Sequence, residues 1–533
     1  MKSPRPISLK FILFLIIILQ NFIILASADI PLTNSKTIMD LEQCSDITDK
    51  TTLTTNWRMW EPYSFSRVTP SGHYAVTGLD VELLNTLSKK IGINLEYKEI
   101  EWGVTLMNIK NGVADVTSGA SYTEERAKYA NFSLPYRFEE ISLFSQYSSI
   151  KQLNFHNMSE FLAQLRLLNF RLGISSGTVY GDPQITAFLN NQNNSDIIIK
   201  FDNDLDSFNA LVRDEIDGFI CDRIVGVSAV LSNNESTKIK ETPLGIKVPI
   251  HLMFSKKTVS LDLINNFNNA INEYILSNDY KQIVKSYIYH VLLPKAIDSE
   301  WCYIIGLIGS IAFALSGLAI AVKENTTFFG TFLFALLPSI GGCLLLDIIV
   351  TRDNEQINFA LTPFYIYYVF ITVLIGFATI KLLDYYNKQL YEEGFISKLR
   401  NNTVIICDAL GQASFIVIGV ASAIVVKIEP LAFWGPFLAF LASHGGSLIR
   451  DLLLKEHDIK CLDGRMSAEI SILWGLIFSI LLDIHAYNPD YSTIEYSMIT
   501  VIAGAFVTKL LVYYFNVPNL RFRVEGGEAV TKV

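Results

Sequence analysis

Apolar and polar positions divide the chain into two parts of different character. Residues from about 301 to 516 form apolar blocks separated by short charged loops, whereas residues 29–298 are polar, rich in Asn and mixed in charge. Each block is close to the roughly 20 apolar residues that a helix needs to cross a bilayer. The pattern predicts seven membrane helices, at about 301–322, 328–350, 362–384, 404–426, 430–454, 469–487 and 494–516.

The apolar part contains an internal repeat. The segment GSIAFALSG, which begins at Gly309, returns as GQASFIVIG from Gly411. Each copy is followed by a second apolar block with a glycine pair, and an aspartate follows each pair at the same offset. Repeated, Gly-interrupted apolar segments are typical of transporters and channels built from internal repeats. Because each copy holds three helices, an odd number, we expect the two copies to be inverted relative to one another.

The glycine pairs and the ionisable residues near them are the candidate pore or gating residues. Glycine lets a membrane helix bend or unwind, so that its carbonyl groups can face a cation or a solute. The alternative is that the pairs only permit close helix packing. Ionisable groups at membrane depth are costly and usually functional. The candidates are Gly341, Gly342, Asp347, His444, Gly445, Gly446, Arg450 and Asp451.

Three of the charged residues have a second interpretation. Arg450 and Asp451 lie at the predicted cytoplasmic end of the fifth helix and could simply anchor it. Asp408, at the predicted start of the fourth helix, is interpreted as a charge that favours a helix N-terminus rather than as a pathway residue.

The N-terminus and the loop charges predict the topology. Lys2, Arg5 and Lys10 precede an apolar run at 11–25 and then Ala-Ser-Ala, the layout of a secretory signal cleaved before Asp29. An uncleaved signal anchor is the alternative. Lys and Arg concentrate in the loops that would be cytoplasmic if the polar part is exported. We therefore expect an exported N-terminal domain and a cytoplasmic C-terminus.

The polar part is predicted to be a two-lobed α/β domain. Residues 50–292 alternate short β-like runs with helical stretches. The runs 141–146 and 246–255 lie where the chain would cross between lobes, which gives lobe one at about 50–145 and 250–292 and lobe two at about 146–249. The predicted organisation is a signal peptide at 1–28, a leader at 29–49, the two-lobed domain at 50–298, the membrane domain at 299–518 and a tail at 519–533.

Composition argues against several other classes of protein. The formal net charge of −9, with no basic cluster among aromatic residues, argues against nucleic-acid binding. Six cysteines are too few and too scattered for a disulfide framework, and no CxxC or metal-ligand spacing is present. We expect no metal site and no cofactor.

Ordered motifs in the polar part resemble those of the family 3 extracellular solute-binding proteins. The motifs are WEPYSF at 60–65, GLDVELL at 78–84, NGVAD at 111–115, SYTEER at 121–126, PY at 135–136, GISSGT at 173–178 and LVRDEIDGFICD at 211–222. The resemblance implies a cleft that binds amino acids or other small polar solutes as the lobes close. Gly119 departs from the family, many of whose members carry a hydroxyl there.

The chemistry of the candidate cleft residues fits a zwitterion. Arg126 offers a planar fork of donors to a carboxylate, which Lys cannot reproduce, and the hydroxyl groups of Ser121 and Thr178 can add neutral donors. Asp222, from the opposite lobe, can accept from an α-ammonium group. The predicted aromatic walls of the cleft are Trp60, Tyr63 and Phe65.

Each of these residues has a structural alternative. An Arg in a loop is usually a solvated charge. Asp222 or the nearby Asp217 could cap a helix or pair with Arg223. The aromatic residues could belong to the core of a lobe.

The apolar part resembles the glycine-transporter-like bacterial membrane family, which is related to the trimeric intracellular cation channels. The segment HGGSLIRD at 444–451 carries the resemblance best, while the first repeat has Leu346 where the family pattern favours Arg. The resemblance implies a seven-helix fold, a pore through each protomer, a homotrimer, and a location in the bacterial inner membrane with the N-terminal domain in the periplasm.

Two functions of different kinds follow. In the first, the exported domain captures a small amino acid and delivers it to, or gates, a membrane pore. In the second, the chain is an amino-acid-gated monovalent cation channel whose ligand is not transported. An enzyme is not expected, because Glu61 and Glu82 are available as bases but have no visible partner arrangement.

Overall fold

The computed structural model describes residues 51–68, 73–324, 326–350, 363–386, 394–453, 466–487, 489–515 and 517. The predicted signal peptide, leader and tail lie outside these residues. The chain divides between Lys295 and Ala296 into two compact units. The domain boundaries given above stay predictions.

The first unit is an alternation of strands and helices. Its strands are β1 (Thr52–Trp57), β2 (Phe65–Val68), β3 (Tyr74–Thr77), β4 (Asn94–Glu99), β5 (Val116–Ser121), β6 (Ala130–Phe132), β7 (Arg137–Gln146), β8 (Leu172–Ser175), β9 (Ile198–Phe201), β10 (Gly218–Asp222) and β11 (Ile239–Ser255). Its helices are α1 (Leu79–Lys90), α2 (Trp102–Asn111), α3 (Glu124–Ala127), α4 (Met158–Leu167), α5 (Pro183–Asn190), α6 (Asp204–Val212), α7 (Arg223–Ser232), α8 (Leu261–Tyr274), α9 (Asn278–Val284) and α10 (His290–Ile297).

Polar side chains fix where many of these helices begin. A side-chain oxygen of the residue before each helix accepts a hydrogen bond from a backbone N–H of the first turn, which satisfies a donor that the helix itself leaves open. The capping residues include Thr123, Asn157, Asp182, Asn203, Asp222, Ser260 and Ser277.

The strands form a mixed sheet in the order β4-β1-β5-β11-β7-β10-β8-β9, with β6 also paired to β11. The two segments predicted to cross between lobes lie in β7 and β11, which pair antiparallel to each other. One end of β11 pairs with β5 and β6, and β7 pairs with β10. The predicted two-lobed α/β architecture is confirmed.

Each lobe has its own apolar core. One buried cluster contains Trp102, Ile109, Phe132 and Met253, and the other is built around residues that include Phe144 and Phe219. Because the two cores are separate and only long strands join them, a crevice lies between the lobes. The ends of the parallel strands face this crevice.

The second unit consists of long helices. Within the described residues they are α11 (Glu300–Lys323), α12 (Phe328–Val350), α13 (Pro363–Tyr386), α14 (Gly394–Val425), α15 (Leu431–Leu453), α16 (Ala468–His485) and α17 (Tyr491–Tyr514). Among the described residues, five segments are long and apolar enough to cross a membrane, namely Glu300–Ala321, Phe328–Ile349, Ile405–Val425, Ala468–His485 and Tyr491–Tyr514. That the membrane is crossed seven times stays a prediction.

The fourth predicted helix begins earlier than expected, which corrects one interpretation. Helix α14 starts at Gly394 and not near 404. Asp408 therefore lies several turns inside the helix, where the terminal partial charge that favours an aspartate has faded. The interpretation of Asp408 as an N-terminal helix charge is wrong.

Candidate functional site

The candidate cleft residues lie where strands of the first unit end. Arg58 follows β1, Ser121 closes β5, Thr178 follows β8, Asp204 follows β9 and Asp222 closes β10. Since a crevice beyond the carboxyl ends of parallel strands is the usual ligand site of an open α/β sheet, this placement is typical of binding.

Arg126 is held in place by backbone groups from both sides of the crevice. Its Nη1 donates to the Ser121 carbonyl at 2.8 Å and its Nη2 to the Gly177 carbonyl at 2.7 Å. The guanidinium carbon lies 5.5 Å from the centroid of the Trp102 ring. Arg126 is 5% exposed, so the alternative of a solvated charge does not hold. Burial lowers its pKa below the ordinary value, and the charge of Arg58 lowers it further.

Asp222 combines a helix cap with a spare oxygen. Its Oδ1 accepts from the backbone N–H groups of Ile224 and Val225 at 3.0 and 3.1 Å and from the Tyr63 hydroxyl at 3.2 Å. Its Oδ2 is buried and has no hydrogen-bond partner within the protein. The capping alternative is thus true of one oxygen and leaves the other available to a ligand.

Asp217 and Arg223 have partners elsewhere. Asp217 pairs with Arg171 at 2.9 Å and with Lys151 at 2.7 Å. Arg223 lies 2.6 Å from a carboxylate oxygen of Glu241. Asp217 is therefore engaged in ion pairs, and the ligand role of Asp222 stays a prediction.

The predicted hydroxyl donors differ in their surroundings. The Thr178 Oγ1 atom is buried and has no partner within the protein, which leaves it free to donate. Ser121 is 7% exposed, and its backbone carbonyl already accepts from Arg126. A ligand role for both stays a prediction.

The three predicted aromatic walls do not form one surface. Trp60 and Tyr63 lie together, with ring centroids 4.9 Å apart, whereas Phe65 packs edge-on against Tyr287 at 6.2 Å. The Trp60 Nε1 donates to Asp204 Oδ2 at 3.1 Å and the Tyr63 hydroxyl donates to Asp222. The two rings thus link residues on the two sides of the crevice.

Sequence reasoning missed Arg58 and gave no role to Asp204 or Arg137. Arg58 is 9% exposed, and its guanidinium carbon lies 5.0 Å from the Trp60 ring centroid and 5.2 Å from that of Trp102. The signal available in the sequence was a charged residue between tryptophans, directly after a β-like run.

A third buried arginine, Arg137, has its charge balanced by carboxylates. It donates to both carboxylate oxygens of Asp80, at 2.8 and 3.0 Å, and to Glu139 at 3.0 Å. Burial nevertheless raises the pKa of Glu139 to about 8. Burial also raises the pKa of Asp222 to about 6, although Arg137 and the Val225 amide lower it.

A small cavity lies beside Arg58. Its volume is about 20 Å³, enough for roughly one water molecule. Asn56, Arg58, Trp60, Trp102 and Gly119 are among its lining residues. Among the predicted ligand residues Trp60 alone lines it, and all its lining residues lie between Asn56 and Gly119, in lobe one.

Gly119 is fixed by the packing of Trp60. Its φ is +73°, and a Cβ atom there would come within 2.7 Å of the Trp60 ring. Its N–H donates to the Tyr136 hydroxyl at 2.9 Å. The departure from the family pattern at this position therefore accompanies a large aromatic side chain in the neighbouring loop.

In the second unit the glycine pairs meet directly. Helices α12 and α15 continue unbroken through them. A Cβ added to Gly342 would lie 2.0 Å from the Ala442 carbonyl oxygen, and one added to Gly446 would lie 1.9 Å from that of Leu337. This is the geometry expected of the close-packing alternative. A pore or gating role for Gly341, Gly342, Gly445 and Gly446 stays a prediction.

His444 belongs to a group of bonded polar side chains that we call the helix cluster: Asp408, Gln412, Ser443, His444, Ser467, Ser471 and Lys509. The His444 ring nitrogens lie 2.9 Å from Ser443 Oγ and 3.0 Å from Ser467 Oγ. Lys509 donates to Asp408 at 2.9 Å and also to Gln412 and Ser467. The cluster joins α14, α15, α16 and α17.

The remaining predicted pore residues lie on α12 and α15. Arg450 and Asp451 are 5% and 1% exposed and bond to each other, with Nη2 to Oδ1 at 2.8 Å. Asp347 is half-buried on α12, next to the buried Leu346. Within the part of the chain that the structure describes, no group of three His, Cys, Asp or Glu side chains could hold a metal ion.

Two family models match the chain. Residues 57–290 match the bacterial extracellular solute-binding proteins, family 3. Residues 303–381 and 405–483 match the glycine transporter model, once each. The chain joins a family 3 solute-binding domain to a glycine-transporter domain. The double match also confirms that the glycine-transporter domain contains two copies of one sequence unit.

Relatives of each domain are known separately. The glycine-transporter domain is similar to the UPF0126 membrane protein YvgT of Bacillus subtilis, 24% identical over 42% of this chain and 98% of the relative. The solute-binding domain is similar to a probable histidine-binding protein of Neisseria gonorrhoeae, 24% identical over 40% of this chain and 75% of the relative.

Solved structures resemble the solute-binding domain. An ancestral arginine-binding protein bound to arginine is 22% identical, with a TM-score of 0.38, over 45% of this chain and 98% of that one. A histidine kinase sensor domain with similarity to periplasmic binding proteins is 18% identical, with a TM-score of 0.37, over 44% of this chain and 94% of that one.

Proposed function

We propose that the chain is a membrane transport protein whose exported domain binds a small amino acid or a similar polar solute and delivers it to, or gates, a transmembrane pore. The observation that carries this proposal is a buried guanidinium, Arg126, in one lobe and a buried carboxylate with an unpartnered oxygen, Asp222, in the other. The two residues offer a carboxylate partner and an ammonium partner in the same cleft. The name of one relative of this domain, a probable histidine-binding protein, supports an amino acid as the ligand.

The ligand carboxylate would take the place of a backbone carbonyl. Gly177 O accepts from Arg126 Nη2 and from Trp102 Nε1, the latter at 3.2 Å, and so occupies the position of a carboxylate oxygen. A carboxylate binds a guanidinium more strongly than a neutral carbonyl does, because it is charged and can accept two parallel bonds. The Thr178 Oγ1 atom, which has no partner within the protein, would add a second donor next to this carboxylate.

The ammonium group would bind Asp222. The unpartnered Oδ2 supplies an acceptor, and the ionised carboxylate favours a cation. A ligand that contacts Arg126 on one side and Asp222 on the other makes both sets of contacts only when the lobes are closed. Its binding energy therefore favours the closed form.

The glycine-transporter domain would supply the pore. We propose seven membrane spans in two inverted repeats, with the glycine pairs of α12 and α15 near the bilayer midplane. Reciprocal contacts support this arrangement, since Gly342 approaches Ala442 while Gly446 approaches Leu337 and Pro338. The homotrimer rests on the family resemblance alone.

The proposed location is the bacterial inner membrane, with the solute-binding domain in the periplasm and the C-terminus in the cytoplasm. Fusion of the two domains keeps a captured solute near the pore. For a short linker the effective concentration is about millimolar.

Flux measurements with the full chain test the proposal. The twenty amino acids are first screened by thermal shift in detergent, where a true ligand at a hundredfold excess over its Kd adds about 2.7 kcal/mol of stability. The ligand found is then radiolabelled and its uptake into proteoliposomes is measured beside potassium flux.

Three outcomes separate the hypotheses. Uptake of the ligand, abolished in Arg126→Ala, supports delivery. Potassium flux that the ligand triggers without its own uptake supports gating and the channel alternative. A protein that binds no amino acid contradicts the proposal.

A further inference from the structure

Arg58 is a buried cation that forms no ion pair within the described residues, although Asp204, Glu139 and Glu101 lie near enough for their charges to act on it. Its Nη1 atom is buried and has no hydrogen-bond partner within the protein. No carboxylate among the described residues forms an ion pair with it; the nearby Asp204 is instead bonded to Trp60 and Ser175. An unpaired buried charge is expensive, so an arrangement of this kind is stable only if something else compensates it.

The surroundings of Arg58 supply part of that compensation. Its guanidinium contacts the rings of Trp60 and Trp102, and such cation–π contacts stabilise a desolvated cation. Arg58 also lines the small cavity described above. Burial lowers the pKa of Arg58, while the charge of Asp204 opposes this effect. Water alone can solvate Nη1 there, but it brings no negative charge.

Arg58 and Arg126 share one neighbour. Both guanidinium groups lie against Trp102, at 5.2 and 5.5 Å from its ring centroid. Two cations around one ring repel each other, in contrast to Arg137, whose charge Asp80 and Glu139 balance. An anion at each guanidinium would remove both the repulsion and the unmet hydrogen bond.

We propose that the cleft takes an acidic amino acid, with the α-carboxylate on Arg126 and the side-chain carboxylate on Arg58. The inference rests on the proposed function and names its ligand class. A basic side chain would place a third cation beside Arg58 and is disfavoured by like-charge repulsion. A neutral amide could accept one hydrogen bond from Arg58 but would leave its charge unbalanced. The preference therefore differs from the ligands named for the similar proteins.

A binding panel on the full chain tests the ligand class. Isothermal titration in detergent compares L-glutamate, L-aspartate, L-glutamine, L-histidine and L-arginine. We expect an acidic amino acid to bind at least about thirtyfold more tightly than the others, the smaller end of what a buried charge partner contributes.

Two variants separate a ligand contact from a structural role. Arg58→Gln should weaken binding of the acidic amino acid by at least about thirtyfold and leave that of L-glutamine within about threefold. Its ligand-free melting temperature should be unchanged or higher, because the variant removes an unpaired buried charge. Arg58→Lys keeps the charge but loses the planar pair of donors, so its affinity for the acidic amino acid should lie between those of the wild-type protein and Arg58→Gln.

Several results would overturn the inference. If L-glutamine, L-histidine or L-arginine binds more tightly than both acidic amino acids, the assignment of Arg58 is wrong while amino-acid capture stands. Unchanged binding of the acidic amino acid in Arg58→Gln has the same meaning. If none of these five amino acids binds, the inference is wrong, and the proposed function is decided separately by the screen of all twenty.

Discussion

The cleft of the solute-binding domain and the helix cluster of the glycine-transporter domain treat buried polar groups in opposite ways. In the cleft, buried polar atoms have no hydrogen-bond partner within the protein; they are Asn56 Nδ2, Arg58 Nη1, Thr178 Oγ1 and Asp222 Oδ2. In the helix cluster, Lys509, Asp408, Gln412, His444 and Ser467 bond to one another.

The difference is the one expected between a ligand-binding site and an internally bonded network. A buried donor or acceptor without a partner costs about 1–3 kcal/mol, so several together in one crevice are kept only where an external group can complete them. A closed network instead fixes the relative positions of the helices that carry it. The first arrangement serves recognition, and the second serves packing or passage.

The largest expected effect tests the cleft. Arg126→Ala should weaken binding of the ligand by about 2–5 kcal/mol, because a buried carboxylate would lose its charged partner. Isothermal titration of the full chain measures the change. The matched control is Arg166→Ala, which removes an exposed arginine paired with Asp196 and should leave affinity unchanged. If Arg126→Ala and Arg166→Ala bound the ligand with equal affinity, Arg126 would not be a ligand-binding residue.

The next effect tests the helix cluster. Lys509→Met leaves Asp408 without its partner and should lower the free energy of unfolding. The loss should stay below the roughly 3–5 kcal/mol that a broken buried pair costs, because 39% of the Asp408 side chain is exposed. The double variant Asp408→Asn with Lys509→Met should recover much of it. Thermal unfolding in detergent compares the three proteins, and a double variant as unstable as both losses added would argue against a coupled pair.

Close helix contact in the glycine-transporter domain gives a third prediction. Gly342→Ala should destabilise the protein by about 1–3 kcal/mol, because the new methyl group meets the Ala442 carbonyl oxygen at 2.0 Å. The control is Gly306→Ala, whose Cβ would approach only Tyr365 Oη, at 3.7 Å. Thermal unfolding should show a loss in the first variant and none in the second. Similar melting temperatures would mean that α12 and α15 are not in backbone contact.

The smallest effect concerns pH. The pKa of Asp222 is about 6 in the folded protein. Below that pH the carboxyl gains a proton and no longer attracts an ammonium group, so affinity should fall by up to about tenfold per pH unit between pH 6 and 5. Titrations across this range, with Asp222→Asn as the pH-independent control, measure the effect.

The ligand-free protein should show the opposite trend. Since the folded state binds the Asp222 proton more tightly than the unfolded state, the contribution of this group to stability rises as the pH falls from about 6 towards 3.8. The contribution is measured as the difference in free energy of unfolding between the wild-type protein and Asp222→Asn. If this difference and the ligand affinity changed in the same direction with pH, the raised pKa of Asp222 would be contradicted.

The membrane helices could be predicted from the sequence where apolar runs have sharp ends. Helix α12 has the predicted bounds, 328 and 350, because charged residues follow its apolar run. Helix α14 extends back to Gly394 through polar residues that hydropathy does not mark as helix. Because the predicted helix start was too late, Asp408 was interpreted as a terminal charge. Its bond to Lys509 could not be predicted, since Lys509 lies about 100 residues further along the chain.

The cleft could be predicted in part for a related reason. Arg126 and Asp222 stand in ordered motifs, and the motifs mark them. Arg58 stands in no such pattern, and its significance depends on Trp102, Asp204 and an absent carboxylate, none of which sequence spacing brings together. The engagement of Asp217 by Arg171 likewise needs the folded chain.

The Gly177 carbonyl gives the cleft a threshold. This carbonyl accepts hydrogen bonds from Arg126 and Trp102. It therefore competes with the ligand carboxylate for the same donors within each molecule. The measured Kd is then the intrinsic value divided by the fraction of molecules in which that carbonyl has been released. A solute whose acceptor group is too weak to displace the Gly177 carbonyl does not bind, whatever its side chain. Substitutions at Ser176 or Gly177 would therefore shift the range of solute concentrations to which the protein responds, without altering a side chain that is predicted to contact the solute.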